Sequence, residues 1–154
     1  MRLALYQPDM PQNTGAMMRL CAAFGVAMDI IEPCGFVWHH PDLKRTGMDY
    51  TAQVAIEKHL SWQHFLDWRV AQADQTGKPR LILLTTKGAV PYTNFAFKPT
   101  DILLVGRESA GVPDYVHEAA DARVVIPIQA RSLNVGMSAA IVLAESLRQT
   151  ADQT

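Results

Sequence analysis

Long apolar runs are missing from this chain. The longest, such as Leu81 to Leu84 and Ile102 to Val105, fall far short of the roughly 20 residues needed to cross a bilayer, so no membrane span is expected. Arg2 is followed by only a few apolar residues before the polar Gln7-Pro8-Asp9, which is no signal-peptide core. Cysteine is equally scarce: Cys21 and Cys34 stand without paired spacing, which excludes a disulfide framework and reads as free thiols in a reducing compartment. A cytoplasmic location is expected. The histidines, His39-His40, His59, His64 and His117, show no zinc spacing, so no metal is expected, and Ser132 and Ser138 lack the Gly-x-Ser-x-Gly elbow of a hydrolase. There is no excess of one charge either. Fourteen Lys and Arg oppose 15 Asp and Glu, for a net charge of −1, which excludes indiscriminate binding to nucleic acid through a broadly basic face.

What is present bounds the rest. The 154 residues, 49% of them hydrophobic, suit one domain spanning 1–154 with no separate RNA-binding domain. Mixed charge without repeats or low-complexity segments argues for an ordered chain up to the polar residues after Arg148. Any nucleic-acid site must be a local patch. The candidate cations are Lys44-Arg45, Lys58-His59, Lys78 with Arg80, and the isolated Lys87, Arg107 and Arg131. Taken singly, each reads equally as solvated surface.

Strands and helices alternate. Arg2 to Tyr6 and Ala27 to Ile31 read as short strands. Between them Asn13 is the expected N-cap of a helix that Gly25 stops. Ser61 caps a further helix, with Trp62, Phe65, Leu66 and Arg69 to Ala73 at helical spacing, and Pro113 suits a first helical position. The runs Leu81 to Thr85, Ile102 to Val105 and Val124 to Ile126 are continuously apolar, as strands covered on both faces are. After Asn134, a stripe of Met137, Ala140, Ile141, Ala144 and Leu147 with a 3.6-residue period predicts a long C-terminal helix. The pattern predicts an α/β fold with a mainly parallel sheet flanked by helices, whose ligands bind beyond the carboxyl ends of the strands.

Three segments sit at those ends: Thr85-Thr86-Lys87-Gly88, Gly106-Arg107-Glu108-Ser109-Ala110-Gly111, and Pro127-Ile128 with Arg131-Ser132-Leu133-Asn134. Glycine there allows backbone to approach a ligand closely. The Gly-x-Glu-x-x-Gly segment is not a dinucleotide fingerprint, because a glutamate would stand where a pyrophosphate meets the helix. A plain turn remains the alternative for it. The first helix is apolar nearly all round, through Met17, Met18, Leu20, Cys21, Ala22, Ala23 and Phe24, with Arg19 its one charge. Such a helix is covered on two sides, one of them most simply by a second copy of the chain. Arg19 then serves a site or pairs with an acid such as Glu145.

The segments Asn13-Thr14-Gly15-x-x-x-Arg19, Gly106-x-Glu108-x-x-Gly111-Val112-Pro113 and Ser132-Leu133-Asn134-Val135 resemble, in order and spacing, the three motifs of the SPOUT RNA 2′-O-methyltransferases. Ile31-Glu32-Pro33-x-Gly35-Phe36, Gly47-Met48-Asp49-Tyr50 and Leu84-Thr85-Thr86-Lys87-Gly88 look like its minimal TrmL (YibK-like) branch, which methylates the tRNA wobble nucleotide. Gly136 and Ala144 depart from the pattern, standing where relatives carry serine and tyrosine.

The resemblance implies a deep C-terminal trefoil knot, a homodimer, and S-adenosylmethionine as cofactor, with S-adenosylhomocysteine as product and no metal. It implies a cofactor cleft at Leu84, Thr85, Thr86, Gly88, Gly106, Glu108, Gly111, Ile126, Ile128, Ser132, Leu133 and Asn134. The reaction centre would hold Asn13, Arg19, Glu108, Ser132 and Asn134. The substrate would be the anticodon stem-loop of tRNA, with cytidine or 5-carboxymethylaminomethyluridine at position 34, reached through Lys44, Arg45, Lys87, Arg107 and Arg131. Two alternatives stay open: the same chemistry at another tRNA or rRNA position, and a non-catalytic nucleotide-binding dimeric module.

Overall fold

The structure, a computed structural model, describes residues 1–39, 41–46, 50, 52–87 and 90–153. In chain order these form β1 (Arg2–Tyr6), α1 (Pro11–Phe24), β2 (Ala27–Ile31), α2 (Pro41–Thr46), β3 (Ile56–His59), α3 (Trp62–Ala71), β4 (Leu81–Leu84), β5 (Val90–Pro91), β6 (Ile102–Val105), α4 (Asp114–Ala119), β7 (Ala122–Val125) and α5 (Val135–Thr150). The strands make one sheet in the order β3-β2-β1-β6-β4-β7-β5, and every pairing is parallel. The expected α/β class is what the chain adopts. Among the described residues no helix is long and apolar enough to cross a membrane.

Two apolar layers explain the unbroken hydrophobic strands. Leu3, Leu5, Ile82, Leu103 and Val105 point into a core shared with α1 and α5, while Ala4, Tyr6, Leu81, Leu83, Ile102 and Leu104 point to the other face, toward Phe65 of α3 and Val116 of α4. Alternate residues of β1, β4 and β6 thus meet protein on both sides, which keeps charged side chains out of these strands beyond Arg2 at the start of β1. Asp29 is the exception in β2. It is fully buried, and it accepts from Arg2 Nε at 2.7 Å and Nη2 at 3.0 Å, and bonds His59 Nε2 at 2.8 Å. That partnering makes burial of the charge tolerable.

Several local expectations are corrected. Helix α1 starts at Pro11, with Met10 and not Asn13 at its cap; proline's fixed φ suits N1, where its missing N–H is not needed. Asn13 is thereby moved into the first turn with its side chain free for other contacts. Gly25 does end the helix, in a left-handed conformation at φ 66°. Ser61 caps α3 by accepting from the His64 N–H at 3.1 Å, but only Phe65 and Arg69 of that helix are buried. Pro113 caps α4 rather than opening it.

The long C-terminal helix expected after Asn134 is α5, though the stripe that announced it is not its buried face. Its buried residues are Ala139, Val142, Leu143, Ser146 and Thr150, whereas Met137 of the expected stripe is 60% exposed. Ser146 and Thr150 can face the core because each hydroxyl donates to a carbonyl of its own helix, Leu143 O and Ser146 O, both at 2.8 Å. Both faces of α5 are therefore compatible with burial, and periodicity could not rank them. Strands β3 and β5 and helix α2 went unforeseen. Strand β3 carries the exposed charged residues Glu57 and Lys58 because it forms the sheet edge.

Candidate active site

Parallel strands deliver their carboxyl ends to one edge, and there the exits of β4, β6 and β7 surround a cavity of about 520 Å³ together with the start of α1. Its walls include Leu84, Thr85 and Thr86 from β4, Gly106, Glu108 and Gly111 from β6, and Ile126, Ile128, Ser132, Leu133 and Asn134 from β7. Every cofactor position expected from the sequence lines this space except Gly88, which lies outside the described residues. Met10, Val135, Ser138 and His117 line it too and were not foreseen.

The β6 loop is shaped by two glycines. Arg107 N donates to Gly111 O at 3.0 Å and Gly111 N to Arg107 O at 2.9 Å, closing residues 108–110 into a tight projection. Gly111 turns the chain at φ 62°, and a Cβ on Gly106 would stand 2.7 Å from the Gly111 carbonyl carbon, a distance that backbone cannot tolerate. The projection carries Glu108 at the cavity wall.

Behind Glu108 stands Asp9, which the sequence reading passed over. Asp9 N donates to Glu108 Oε2 at 3.3 Å, Glu108 N donates to Asp9 Oδ1 at 3.2 Å, and Ser109 Oγ donates to Asp9 Oδ2. The exit of β1 is thus tied to the exit of β6. Burial, followed by the neighbouring Asp9 carboxylate, pushes the Glu108 carboxyl up to about 7, while hydrogen bonds from Glu108 and Ser109 hold Asp9 below its ordinary value. Gly35 closes against this pair, since a Cβ there would lie 2.6 Å from Asp9 Cβ. The only signal in the sequence was a carboxylate at a strand exit, which by itself is an ordinary surface residue.

Asn13 and Asn134 meet across 121 residues of chain: Asn134 Nδ2 donates to Asn13 Oδ1 at 3.1 Å. Asn134 also caps α5, its Oδ1 accepting from Met137 N at 3.1 Å. A Cβ on Gly136 would come within 3.1 Å of that same oxygen, so glycine leaves the cap room. Asn13, Glu108, Ser132 and Asn134 all line the cavity.

Arg19 does not line it. It lies on the exposed side of α1, its guanidinium 5.5 Å from the centroid of the Tyr50 ring. The alternative partner Glu145 is engaged by Arg148, at 2.8 Å to both carboxylate oxygens. Of the expected RNA-binding cations, Lys87 and Arg107 line the cavity and Arg131 is exposed beside it. Arg45 is exposed, 3.4 Å from Asp42, and the Lys44 side chain is outside the described residues. His59 is fully buried and so absent from the surface, and Arg80 is engaged by Asp101.

The SpoU rRNA methylase family profile matches residues 1–144. The chain belongs to the SpoU methylase family. A relative from Beijerinckia indica subsp. indica, a tRNA (cytidine(34)-2'-O)-methyltransferase, is 57% identical over 149 residues, spanning 96% of this chain and 90% of the relative. A solved structure described as giving structural insights into the 2-OH methylation of C/U34 on tRNA superposes with a TM-score of 0.89 at 33% identity, over 98% of this chain and 96% of that one. The fold is shared more distantly with the SpoU methyltransferase AviRb from Streptomyces viridochromogenes in complex with AdoMet, at a TM-score of 0.87 and 24% identity, over 98% of this chain and 58% of that one.

The Glu108 environment makes a pH prediction. Because its folded-state pKa is raised, Glu108 favours the folded chain below its ordinary value of 4.5, and that contribution is lost as pH rises toward about 7. Glu108→Gln should therefore raise the melting temperature relative to wild type more at pH 8 than at pH 5. An equal difference at both pH values would show that the carboxyl ionises there without penalty.

Proposed function

We propose that this chain transfers a methyl group from S-adenosylmethionine to the ribose 2′-OH of the wobble nucleotide, position 34, in the anticodon stem-loop of tRNA. The observation that carries the reading is the near full-length relationship to wobble-nucleotide methyltransferases, laid over a cleft that brings all three motif loops together. Cytidine is the substrate named by the relatives, and modified uridine at the same position is the natural second. The cytoplasm is where such a substrate is found.

The cleft suits the cofactor. Its volume falls in the range of small-molecule sites, its apolar walls at Leu84, Ile126 and Ile128 accept a purine, and the glycine-loop backbone groups not paired within the loop can hydrogen-bond it. Bound there, adenosylmethionine supplies an electrophilic methyl carbon on a sulfonium, and release of the methyl leaves S-adenosylhomocysteine. The residues around it have two tasks: to align the ribose oxygen in line with that carbon, and to offset the negative charge that grows on the oxygen. Asn13, Ser132 and Asn134 present amide and hydroxyl groups to one part of the cleft. Glu108, held by Asp9, fixes the loop against the cofactor. The strand order β6-β4-β7, with α5 returning to α1, supports the knotted threading expected at the C-terminus.

Arg19 joins this centre from outside the single chain. Phe24, 49% exposed, Ala16 and Ala23 on α1 and Met137 and Ala144 on α5 are exposed apolar residues, and the two helices that carry them pack together. This apolar face supports a homodimer in which a second copy covers α1 and α5 and places Arg19 at the edge of the cleft. Static light scattering at micromolar concentration should give twice the 17.0 kDa chain mass; an active monomer would remove the dimer.

Arginine stays protonated, so its task is to grip phosphate or ribose and to stabilise developing alkoxide. Arg19→Ala should leave adenosylmethionine affinity within a few-fold and lower single-turnover methylation of an anticodon stem-loop about 100-fold or more. Arg19→Lys should recover little, because an ammonium lacks the planar fork. Mass spectrometry of the product RNA places the methyl: modification at a ribose other than that of nucleotide 34 would overturn the wobble assignment.

A further inference from the structure

Arginine partnering singles out one residue. Arg2, Arg69 and Arg80 are each partly or wholly buried and each has an aspartate, respectively Asp29, Asp121 and Asp101. Arg107, at the opposite, carboxyl edge of the sheet, is half-buried and has no carboxylate partner among the described residues, and its Nε is buried with no hydrogen-bond partner there. Its guanidinium carbon lies 5.7 Å from the centroid of the Tyr6 ring. The side chain also lines the cofactor cavity, one residue before Glu108. A cation kept at a cleft against an aromatic ring, with no carboxylate to neutralise it, is complementary to an anionic ligand.

Next to it lies an aromatic surface that continues away from the cleft. Tyr6 is buried and its hydroxyl meets that of Tyr115 at 2.6 Å. Tyr115 is thereby anchored at its tip, yet 51% exposed. Trp62 stands edge-on to Tyr6 at 5.7 Å and 6.4 Å from Tyr115. The tyrosine is immobilised by its hydroxyl and still shows a ring to solvent, which is what a stacking platform requires. Asp114 precedes Tyr115 in the chain and Glu118 follows it in α4, and these carboxylates oppose a long phosphate backbone. They tolerate a single nucleotide whose base, rather than its charge, meets Tyr115.

We infer that Arg107, Tyr115 and Trp62 form a seat for a nucleotide flanking the one methylated, with its phosphate on Arg107 and its base stacked on Tyr115. This rests on the RNA methyltransferase reading given above. The seat extends the cleft on the α3 and α4 side of the sheet, away from Asn13 and Asn134, so the RNA strand would cross the carboxyl edge and not end at the cofactor.

The test uses the full chain and an anticodon stem-loop RNA carrying 2-aminopurine in turn at each nucleotide flanking position 34. Wild type should quench the fluorescence of one flanking probe on binding. Tyr115→Ala should abolish that quenching and weaken RNA binding about tenfold, the scale of one lost base stack, with adenosylmethionine affinity and turnover at saturating RNA unchanged. Tyr115→Phe should behave as wild type, which separates the ring from its hydrogen bond to Tyr6. Arg107→Gln should lower the dependence of RNA affinity on salt by about one phosphate contact. If wild type methylates the RNA but Tyr115→Ala binds and quenches as wild type does, the seat is wrong and the activity stands. If wild type neither binds nor methylates the RNA, both readings fall.

Discussion

Every strand pairing in this sheet is parallel, and the position of all the chemistry depends on that. A parallel strand must return through a crossover, so each carboxyl end opens into a loop at the same edge before the chain goes back. Here the exits of β1, β4, β6 and β7 carry Asp9, Thr85, Glu108 and Asn134 to one rim. The same constraint requires both faces of the central strands to be covered, which is why polar groups are expelled from the strands and collect at the exits. The hydrogen bonds that matter for the site therefore run between loops far apart in sequence, Asn13 with Asn134 and Asp9 with Glu108.

Charge is handled in two ways across the molecule. Where an arginine enters the interior, an aspartate meets it, as with Arg2 and Asp29 or Arg80 and Asp101. These pairs tie β1 to β2 and the start of β4 to the start of β6, fixing strand positions on which the exits depend. At the rim the balance is left open. Glu108 is held near neutrality by burial and by Asp9, and Arg107 keeps a nitrogen without a partner among the described residues. Groups that the fold itself has not already satisfied are the ones left to meet a ligand.

Much of this was legible in the amino-acid sequence, for physical reasons that differ from element to element. The runs Leu81 to Leu84 and Ile102 to Val105 had to be doubly covered strands, and they are. The glycine loop was read as a place where backbone could approach a ligand, and the approach found is of backbone to backbone, Gly106 against Gly111. Strand β3 was hidden because an edge strand carries charge, and the inner face of α5 because Ser146 and Thr150 satisfy their own hydroxyls. Asp9 was hidden more deeply, since its role depends on a partner 99 residues away. Arg19 shows the limit of a motif: it marked a residue for the reaction centre, while the single chain leaves it on an exposed helix face.

The central claim is that the close passage of Gly106 over Gly111 shapes the cleft that binds adenosylmethionine. Calorimetric titration of adenosylmethionine into wild type and Gly106→Ala, with thermal melts of both, tests it most directly. A methyl group forced against the Gly111 backbone must shift the loop, at a cost comparable to overpacking a core. The account predicts that wild type binds and that the variant, still melting cooperatively, binds about tenfold or more weakly. A folded Gly106→Ala that takes up adenosylmethionine as wild type does would contradict it.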